Sequence, residues 1–368
     1  MTDLPTRMKA IVLHEHGGME ALRYHTDWPV PEVAAQQVLI RVGACGLNNT
    51  DVNTRTGWYS KAVTGATDSA GAASADDADP TWGGSPIGLP RIQGADAVGI
   101  VVAAGAQADQ GLIGKRVMTD NWLRDWDNPM DRNATGYFGS EADGGFAQYA
   151  VIDHRNVGVV DSELSDAELA TFSCSYSTAE GMLSRADVGA DDRVLITGAS
   201  GGVGSALVQL AKRRGAYVIA LSSPAKHGAI RELGADVVLE RAPDNLGTAL
   251  KQATGSDKVS VVADVVGGEY WPTLIDALAR GGRYACSGAI AGPMVQMDLR
   301  TLYLNDLTLH GSTVIPPQIF TDLVGYIERG EVKPLLAATY PLAQFHAAQT
   351  AFIDKAHVGN IVVIPELD

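Results

Sequence analysis

Residues 196–216 read ITGASGGVGSALVQLAKRRGA and combine three local patterns. Strand-like residues 194–197 lead into a glycine-rich turn, and a helical pattern follows. That helix carries four apolar residues on one face: Val203, Leu207, Leu210 and Ala211. In the G-x-G-x-x-G pattern, the turn has alanine at the first glycine and matches at Ala199, Ser200, Gly201, Gly202, Val203 and Gly204. Glycines let a pyrophosphate approach the backbone, and a helix N-terminus supplies N–H donors, so we expect these residues to bind a dinucleotide.

The residues around this turn alternate between strand-like and helical patterns. The strand-like segments are RVLITG, YVIAL, DVVLE, VSVVADVV and GRYACSG, and helical segments lie at 202–214 and near 225–233, 244–253 and 270–279. Alternation at this spacing is typical of a doubly wound parallel sheet. A lone G-x-G-x-x-G is weak evidence, but here it follows a strand and opens a helix. A glycine-rich turn that binds no nucleotide is the alternative.

The first half of the chain has a different pattern. Short strand-like segments lie at 8–13, 37–44, 98–103, 115–119 and 146–152, which predicts an antiparallel β-rich unit. Residues 60–88 are small, polar and acidic, and we expect an exposed loop insertion there, with a lid over a nearby site as the alternative. Residues 120–143 form a second irregular segment, whose aromatic side chains pack it down or line a pocket.

The bulk composition limits the classes of partner. The chain has 368 residues, which favours two domains, and a formal net charge of −15. That charge disfavours nucleic acids and anionic membranes, which need clustered Lys and Arg. No apolar run is long enough for a signal peptide or a membrane helix, so we expect a cytoplasmic protein. Three distant cysteines argue against a disulfide framework and are too few for a four-cysteine zinc lobe.

The segment after the second strand of the alternating half indicates which dinucleotide binds. NAD sites place Asp or Glu about 20 residues beyond the glycine turn to hold the ribose 2′-hydroxyl. Between Asp192 and Glu232 this chain has no acidic residue. Ser222, Ser223 and Lys226 instead offer two hydroxyls and an ammonium, which suit a 2′-phosphate. We therefore expect NADP(H), and the alternative is that Lys226 is an ordinary solvated surface residue.

Several stretches, in order, resemble the medium-chain dehydrogenase/reductase superfamily over nearly the whole chain. They include MKAIVLHEHGGMEALRY, PRIQGADAVGIVVAAGAQADQGLIGKRV, GGFAQYAV, ELATFSCSYSTAEGML, DVVGG, GGRYACSG and HVGNIVVIP. The resemblance implies an α/β protein with a GroES-like β-rich catalytic domain at 1–165 and 315–368 and a Rossmann doubly wound parallel-sheet domain at 166–314. It also implies cofactor contacts at Val266, Gly267, Ser287, Gly288 and Asn360, although many members have Lys where this chain has Asn360. A homodimer joined edge to edge near Leu307–Gly311 is a further expectation from the family.

Zinc-dependent members of this superfamily carry a catalytic Cys, His and Cys. The corresponding positions here are Asn48, Ala95 and Cys174. A catalytic zinc needs about three protein ligands, so one cysteine does not make a zinc site, and we interpret Cys174 as a small buried core residue. A divalent metal held by Asp51, Asp96 and Cys174 is the alternative.

The remaining pattern resembles the zinc-independent quinone oxidoreductase or zeta-crystallin-like branch. Its G-x-N-x-x-D-x-x-x-R-x-G-x-Y loop is complete in this chain at Gly46, Asn48, Asp51, Arg55, Gly57 and Tyr59. The resemblance implies catalytic roles for Tyr59, Asn48 and Asp51 beside the nicotinamide and substrate. Without a metal, hydrogen-bond donors must polarise the electrophile. Tyr59 either donates a proton, as in related enoyl reductases, or only packs, and Asp51 and Arg55 are alternatively a structural pair.

These expectations combine into a function for a small-molecule substrate. The lead hypothesis is an NADPH-dependent reductase that transfers hydride to a quinone or to the β-carbon of an α,β-unsaturated carbonyl, without zinc. One alternative is a zinc-type alcohol dehydrogenase with an atypical metal site. The other is a non-enzymatic NADPH-binding protein, as the crystallins of this branch illustrate.

Overall fold

The computed structural model describes residues 4–67 and 87–366. Its strands are β1 (Arg7–Leu13), β2 (Leu22–Pro29), β3 (Gln37–Gly46), β4 (Arg91–Ile92), β5 (Asp96–Ala104), β6 (Arg116–Thr119), β7 (Trp122–Arg124), β8 (Thr135–Tyr137), β9 (Tyr149–Asp153), β10 (Val157–Val159), β11 (Arg193–Ile196), β12 (Tyr217–Ser222), β13 (Val237–Glu240), β14 (Val259–Asp264), β15 (Leu278–Cys286), β16 (Thr308–Gly311), β17 (Leu336–Pro341) and β18 (Asn360–Ile364). Its α-helices are α1 (Asn49–Thr56), α2 (Asp166–Leu169), α3 (Ser173–Arg185), α4 (Gly202–Arg213), α5 (His227–Glu232), α6 (Leu246–Thr254), α7 (Trp271–Asp276), α8 (Leu299–Leu304), α9 (Pro317–Glu328) and α10 (Phe345–Ile353).

Six strands from the middle of the chain form the predicted doubly wound sheet. Their order is β13-β12-β11-β14-β15-β16, and every neighbouring pair is parallel. The two central strands, β11 and β14, are almost entirely buried because helices cover both faces. The order reverses between β11 and β14, and at such a point ligands bind outside the carboxyl ends of the strands. The glycine-rich turn leaves β11 at this position.

The two ends of the chain build a separate β-rich sheet. Its order is β10-β6-β5-β3-β18-β17, with β9 also paired to β3. The C-terminal strand β18 lies antiparallel to β3, with Val362 opposite Gly46. A three-stranded sheet, β2-β1-β4, completes this unit. The α/β class with two sheets of different kinds is confirmed, whereas the domain boundaries at 165/166 and 314/315 stay predictions.

Two local features differ from the sequence-based expectations, and a third expectation cannot be compared. Residues 49–56, predicted as part of a loop, form α1, because the Asp51 carboxylate accepts from the Asn48 backbone N–H at 2.7 Å and Gly57 ends the helix in the left-handed conformation. The segment 120–143 contains the antiparallel hairpin of β7 and β8. Most of the expected insertion at 60–88, residues 68–86, lies outside the described residues.

One hydrophobic core joins the two units. Val98 and Met118 of the β-rich sheet pack in the same buried cluster as Tyr176 of α3 and Leu207 of α4. Helix α3 therefore lies between the two sheets, and its first residues are held against both. Within 4–67 and 87–366, no helix has the length and apolar character needed to cross a bilayer.

Candidate functional site

The backbone of the glycine-rich turn has the shape that a dinucleotide requires. Gly198 has φ +57°, a conformation that glycine adopts without strain. A Cβ on Gly204 would collide with the carbonyl oxygen of Gly198, so this glycine permits the close approach of α4 to β11. Gly201 is the N-cap of the 12-residue helix α4, whose first N–H groups point out of the sheet edge. These groups form an anion-binding terminus.

Two polar residues from other elements lie over the first turn of α4. Asn360 donates from Nδ2 to Ser175 Oγ at 3.2 Å, and Gly359 N–H donates to the Ser200 carbonyl at 2.9 Å. A Cβ on Gly202 would meet Ser175 Oγ and, at 2.8 Å, Asn360 Nδ2. Within the described chain, Asn360 Oδ1 is buried without a hydrogen-bond partner. The structure thus brings the predicted residue Asn360 to the glycine turn and adds Ser175.

The residues expected at the 2′-phosphate gather at the carboxyl end of β12. Ser222 is 3% exposed, and in the described part of the chain its Oγ has no partner. Lys226 donates from Nζ to the carbonyl oxygens of Lys355 and His357, both at 2.7 Å. Its side chain is of intermediate exposure, and its ammonium is held by these two carbonyl oxygens. Burial, and then the charge of the nearby Arg241, lower the pKa of Lys226.

Sequence reasoning missed Arg241. This residue is exposed and directly follows β13, whose last residue Glu240 is paired with Ser222 in parallel register. A strand-order argument alone could have found it, since neighbouring parallel strands end at the same sheet edge. Arg241 and Lys226 together give this edge two cationic side chains beside Ser222 and Ser223.

The turns after β14 and β15 complete the same edge. The buried carboxylate of Asp264 accepts from Thr197 Oγ1 at 2.5 Å, from the Val266 N–H at 2.8 Å and from Tyr284 Oη at 2.7 Å. These bonds fix Val266 and Gly267 beside the glycine turn. The predicted residues Ser287 and Gly288 follow β15, where a Cβ on Gly288 would lie 3.1 Å from the Val265 carbonyl oxygen. The predicted cofactor residues of the six-stranded sheet therefore lie at one edge, and Asn360 reaches the same glycine turn from β18 of the other sheet.

Helix α1 positions the predicted catalytic residues of the other unit. Asp51 is 3% exposed, and burial, as the main cause, raises its pKa to about 8. The alternative of an Asp51–Arg55 pair is wrong. Arg55 donates instead from Nε to Gln349 Oε1 at 2.9 Å and from Nη1 to the Gly17 carbonyl at 2.7 Å. Arg55 thus ties α1 to α10 and to the first turn of the chain.

Tyr59 lies just beyond α1 and keeps its proton. Its hydroxyl donates to Thr50 Oγ1 at 3.3 Å, and the Trp58 ring packs edge-on against it with centroids 5.8 Å apart. Burial raises the pKa of Tyr59 to about 12, and the neighbouring Cys174 and Asp51 add to the effect. At neutral pH Tyr59 is therefore a hydrogen-bond donor.

Asp96 is the centre of a buried polar cluster between the units. It is fully buried, and it accepts from Asn48 Nδ2 at 2.9 Å, from the Cys174 backbone N–H at 2.6 Å and from Asn121 Nδ2 at 3.3 Å. Burial raises its pKa to about 6, while these donors oppose the shift. Asn48, predicted to face the substrate, uses one of its two amide hydrogens on Asp96.

The same cluster contains a tyrosine that sequence reasoning did not identify. Tyr137 donates from its hydroxyl to Cys174 Sγ at 3.1 Å and accepts from Asn121 Nδ2 at 3.3 Å. Burial raises the pKa of the Cys174 thiol well above its usual range, so the sulfur stays protonated. The only sequence signal was the aromatic content of 120–143. The cluster of Cys174 and Tyr137 is lined by Ala95, Trp122, Ile315 and Ile319.

The ligand positions of zinc-dependent members do not form a metal-binding set here. Asn48 Nδ2 donates a hydrogen bond to Asp96, and Cys174 Sγ accepts one from Tyr137. The side chain of Ala95 has no atom that can bind a metal. Among residues 4–67 and 87–366, no three His, Cys, Asp or Glu side chains, Asp51, Asp96 and Cys174 included, form a group that could hold a metal ion. The side chains at this position fit hydrogen-bond donation, not zinc coordination.

Comparisons with known proteins agree with both units. The family profile "Alcohol dehydrogenase GroES-like domain" matches residues 34–162, and the profile "Zinc-binding dehydrogenase" matches residues 202–329. The NADPH-dependent alkenal/one oxidoreductase of Arabidopsis thaliana, a chloroplastic protein, is 27% identical over 98% of this chain and 81% of its own length. The quinone oxidoreductase of Homo sapiens is 25% identical over 97% of this chain and 98% of its own length.

A solved structure is more similar. The crystal structure of a "putative alcohol dehydrogenase" from Sinorhizobium meliloti 1021 is 45% identical, covers 100% of this chain and 99% of its own, and superposes with a TM-score of 0.89. The two profiles match the two units in the same order as the sheets, and these relatives span nearly the whole chain. The chain therefore belongs to the medium-chain dehydrogenase/reductase superfamily, in its quinone oxidoreductase-like branch.

Proposed function

We propose that this protein is an NADPH-dependent reductase of quinones or α,β-unsaturated carbonyl compounds and that it works without zinc. The observation that carries the proposal is the Tyr59 hydroxyl, which donates to Thr50 Oγ1 and lies near Cys174, while Asn48 and Ala95 stand at the other two metal-ligand positions of zinc-dependent members. Relatives named for alkenal, furanone and quinone reduction support the substrate class.

The cofactor proposal rests on charge at the sheet edge. Ser222 and Ser223 offer hydroxyls, and Lys226 and Arg241 offer cations, where NAD-specific sites have a carboxylate. A 2′-phosphate carries a charge near −2 at neutral pH, so two cations favour NADP(H) over NAD(H). The buried Asn360 Oδ1, which has no partner within the described residues, lies by the expected pyrophosphate and is free to accept a hydrogen bond from bound cofactor or water.

NADPH, when bound, supplies the hydride, and its oxidation to NADP⁺ balances reduction of the substrate. The β-carbon of the enone accepts the hydride, the C=C electron pair moves toward the carbonyl, and negative charge develops on the carbonyl oxygen. The Tyr59 hydroxyl donates a hydrogen bond to that oxygen, exchanging its bond to Thr50 Oγ1 for a stronger one. A proton from water then completes the reduction at the α-carbon.

The test compares substrates, coenzymes and metal content in one preparation. We expect kcat/KM with 2-cyclohexen-1-one or 1,4-benzoquinone to be much higher with NADPH than with NADH. We also expect protein purified without added zinc to be active and to contain less than stoichiometric metal. Activity restricted to alcohols, with NAD⁺ and bound zinc, would refute the proposal. Tight NADPH binding without turnover would favour the non-enzymatic alternative.

A homodimer is part of the proposal. Strand β16 forms one edge of the six-stranded sheet, and apolar side chains are exposed on and beside it: Met294, Leu299, Tyr303, Leu304 and Leu309. An exposed edge strand next to an apolar patch suits pairing with a second copy. We expect light scattering to give twice the mass of the 38.6 kDa chain, and Leu309→Lys to give the monomer. Ile113→Lys, at an exposed position on the β-rich unit, is the control.

A further inference from the structure

The hydroxyl of Tyr137 is fixed on one side and weakly held on the other. Asn121 Nδ2 donates to it at 3.3 Å and is itself held by Asp96. The hydroxyl proton points at Cys174 Sγ, 3.1 Å away. A thiol sulfur is a weak acceptor, so a carbonyl oxygen entering the site can replace it at small cost.

We propose that Tyr137 is a catalytic residue whose hydroxyl turns from Cys174 Sγ to the substrate carbonyl oxygen. This inference rests on the proposed function and adds a second donor to Tyr59. In the free enzyme Cys174 holds the tyrosine proton in place, and the substrate then takes over the bond. Because negative charge develops on the oxygen during hydride transfer, the bond is stronger in the transition state than with the bound substrate.

The side chains that surround Tyr137 are apolar. Ala95, Trp122, Ile315 and Ile319 pack with Tyr137 and Cys174 in one cluster. The Trp122 ring contacts the Tyr137 ring edge-on with centroids 5.0 Å apart, which fixes the phenol direction. Tyr137 and Cys174 are 5% and 8% exposed, so little water competes for the hydroxyl. A hydrogen bond in such surroundings is stronger than in water.

Tyr137 is also close to the other parts of the site. Cys174 is followed by Ser175, which receives the Asn360 hydrogen bond over the first turn of α4. Tyr59 lies near enough to Cys174 for the two side chains to interact electrostatically. Cys174 is therefore bonded to Tyr137, lies near Tyr59 and adjoins the residue that contacts the dinucleotide turn.

The first test is Tyr137→Phe, assayed with NADPH and 2-cyclohexen-1-one. Loss of one preorganised donor lowers kcat about 10²- to 10³-fold, while the Kd for NADPH, measured by fluorescence titration, stays unchanged. The control is Tyr176→Phe. Tyr176 is another buried tyrosine but lies in a different apolar cluster, and its hydroxyl donates to the Lys333 carbonyl and accepts from Gln209 Nε2. We expect this control to change kcat less than threefold.

A second pair of variants separates catalysis from packing. In Cys174→Ser the hydroxyl is a better acceptor and holds Tyr137 more firmly, so we expect kcat/KM to fall several-fold. In Cys174→Ala the competing acceptor is absent, and we expect kcat/KM to be higher than in Cys174→Ser. A purely structural contact predicts the opposite order, with serine above alanine. This order decides the question even if Tyr137→Phe does not fold.

The outcomes distinguish the inference from the function on which it rests. Wild-type protein that reduces neither enones nor quinones would overturn both. Active wild-type protein with an undiminished Tyr137→Phe variant, or with Cys174→Ser more active than Cys174→Ala, would overturn the role of Tyr137 alone.

Discussion

Replacing Arg241 with alanine tests the 2′-phosphate site with a built-in control. Arg241 is exposed, follows β13 and lies near Lys226. A hydrogen bond to a charged group contributes about 1.5–3 kcal/mol, and solvent screening at an exposed position reduces this to about 1–1.5 kcal/mol. Since 1.4 kcal/mol corresponds to tenfold, we expect KM for NADPH to rise about five- to tenfold in Arg241→Ala.

NADH is the control, because it lacks the 2′-phosphate, and its kinetic constants should not change. The assay is initial-rate kinetics with both coenzymes at 50 and 300 mM salt. The difference between wild type and variant should shrink at the higher salt, where screening is stronger. Equal losses with both coenzymes would refute the reasoning, as they would mean that Arg241 acts on the fold and not on the phosphate.

Lys226→Met gives a different result for a structural reason. Lys226 donates to two carbonyl oxygens of the segment that precedes Gly359 and Asn360. Losing both bonds loosens this segment and also removes one of the two cations proposed for the 2′-phosphate. We therefore expect weaker binding of both coenzymes, with a larger loss for NADPH, and a loss of about 1–3 kcal/mol in the free energy of unfolding. Urea unfolding of the two variants separates the roles, because Arg241→Ala should unfold like the wild type.

Three further predictions concern the site and its frame. Tyr59→Phe should lower kcat for enones about 10²-fold without changing the Kd for NADPH; unchanged kcat would mean that Tyr59 only packs. The pKa of Asp51, raised from 3.8 to about 8, means that the native state holds a proton that the unfolded chain releases. The free energy of unfolding should therefore fall between about pH 4 and pH 8, by at most about 1.4 kcal/mol per pH unit, and Asp51→Asn should flatten this slope in urea titrations. Gly204→Ala should lower Tm and abolish NADPH binding, because its Cβ collides with the Gly198 carbonyl, whereas Gly228→Ala, which meets no atom within 4 Å, should do neither.

The six-stranded sheet and its dinucleotide turn were predictable because the residues that specify them are close together in the sequence. The turn from Gly198 to Gly204 follows a strand and opens a helix, and both periodicities are visible within about 20 residues. The absence of acidic residues after β12 is also a local fact. Even there, Arg241 was missed, since it joins the site through strand pairing between Ser222 and Glu240.

The catalytic site in the β-rich unit was harder to predict, because its contacts join residues that are far apart in the sequence. The residue pattern from Asn48 to Tyr59 was recognised, but helix α1 was not. The residues of α1 are mostly polar and show no apolar periodicity, and the helix is stabilised by the cap between Asn48 and Asp51. The expected pairing of Asp51 with Arg55 was plausible from spacing. Burial instead directs Arg55 to Gly17 and Gln349, which are 38 and 294 residues away in sequence.

The doubly wound sheet, the glycine-rich turn and the presence of Asn48 and Ala95 were readable from the chain, because each depends on which residues stand at fixed local spacings. The surroundings of Cys174 were not, because they depend on contacts between residues that are distant in sequence. Tyr137 and Cys174 are 37 residues apart, and Cys174 is 78 residues from Asp96. They meet because one hydrophobic core holds α3 between the two sheets, and such packing depends on the summed burial of many distant side chains.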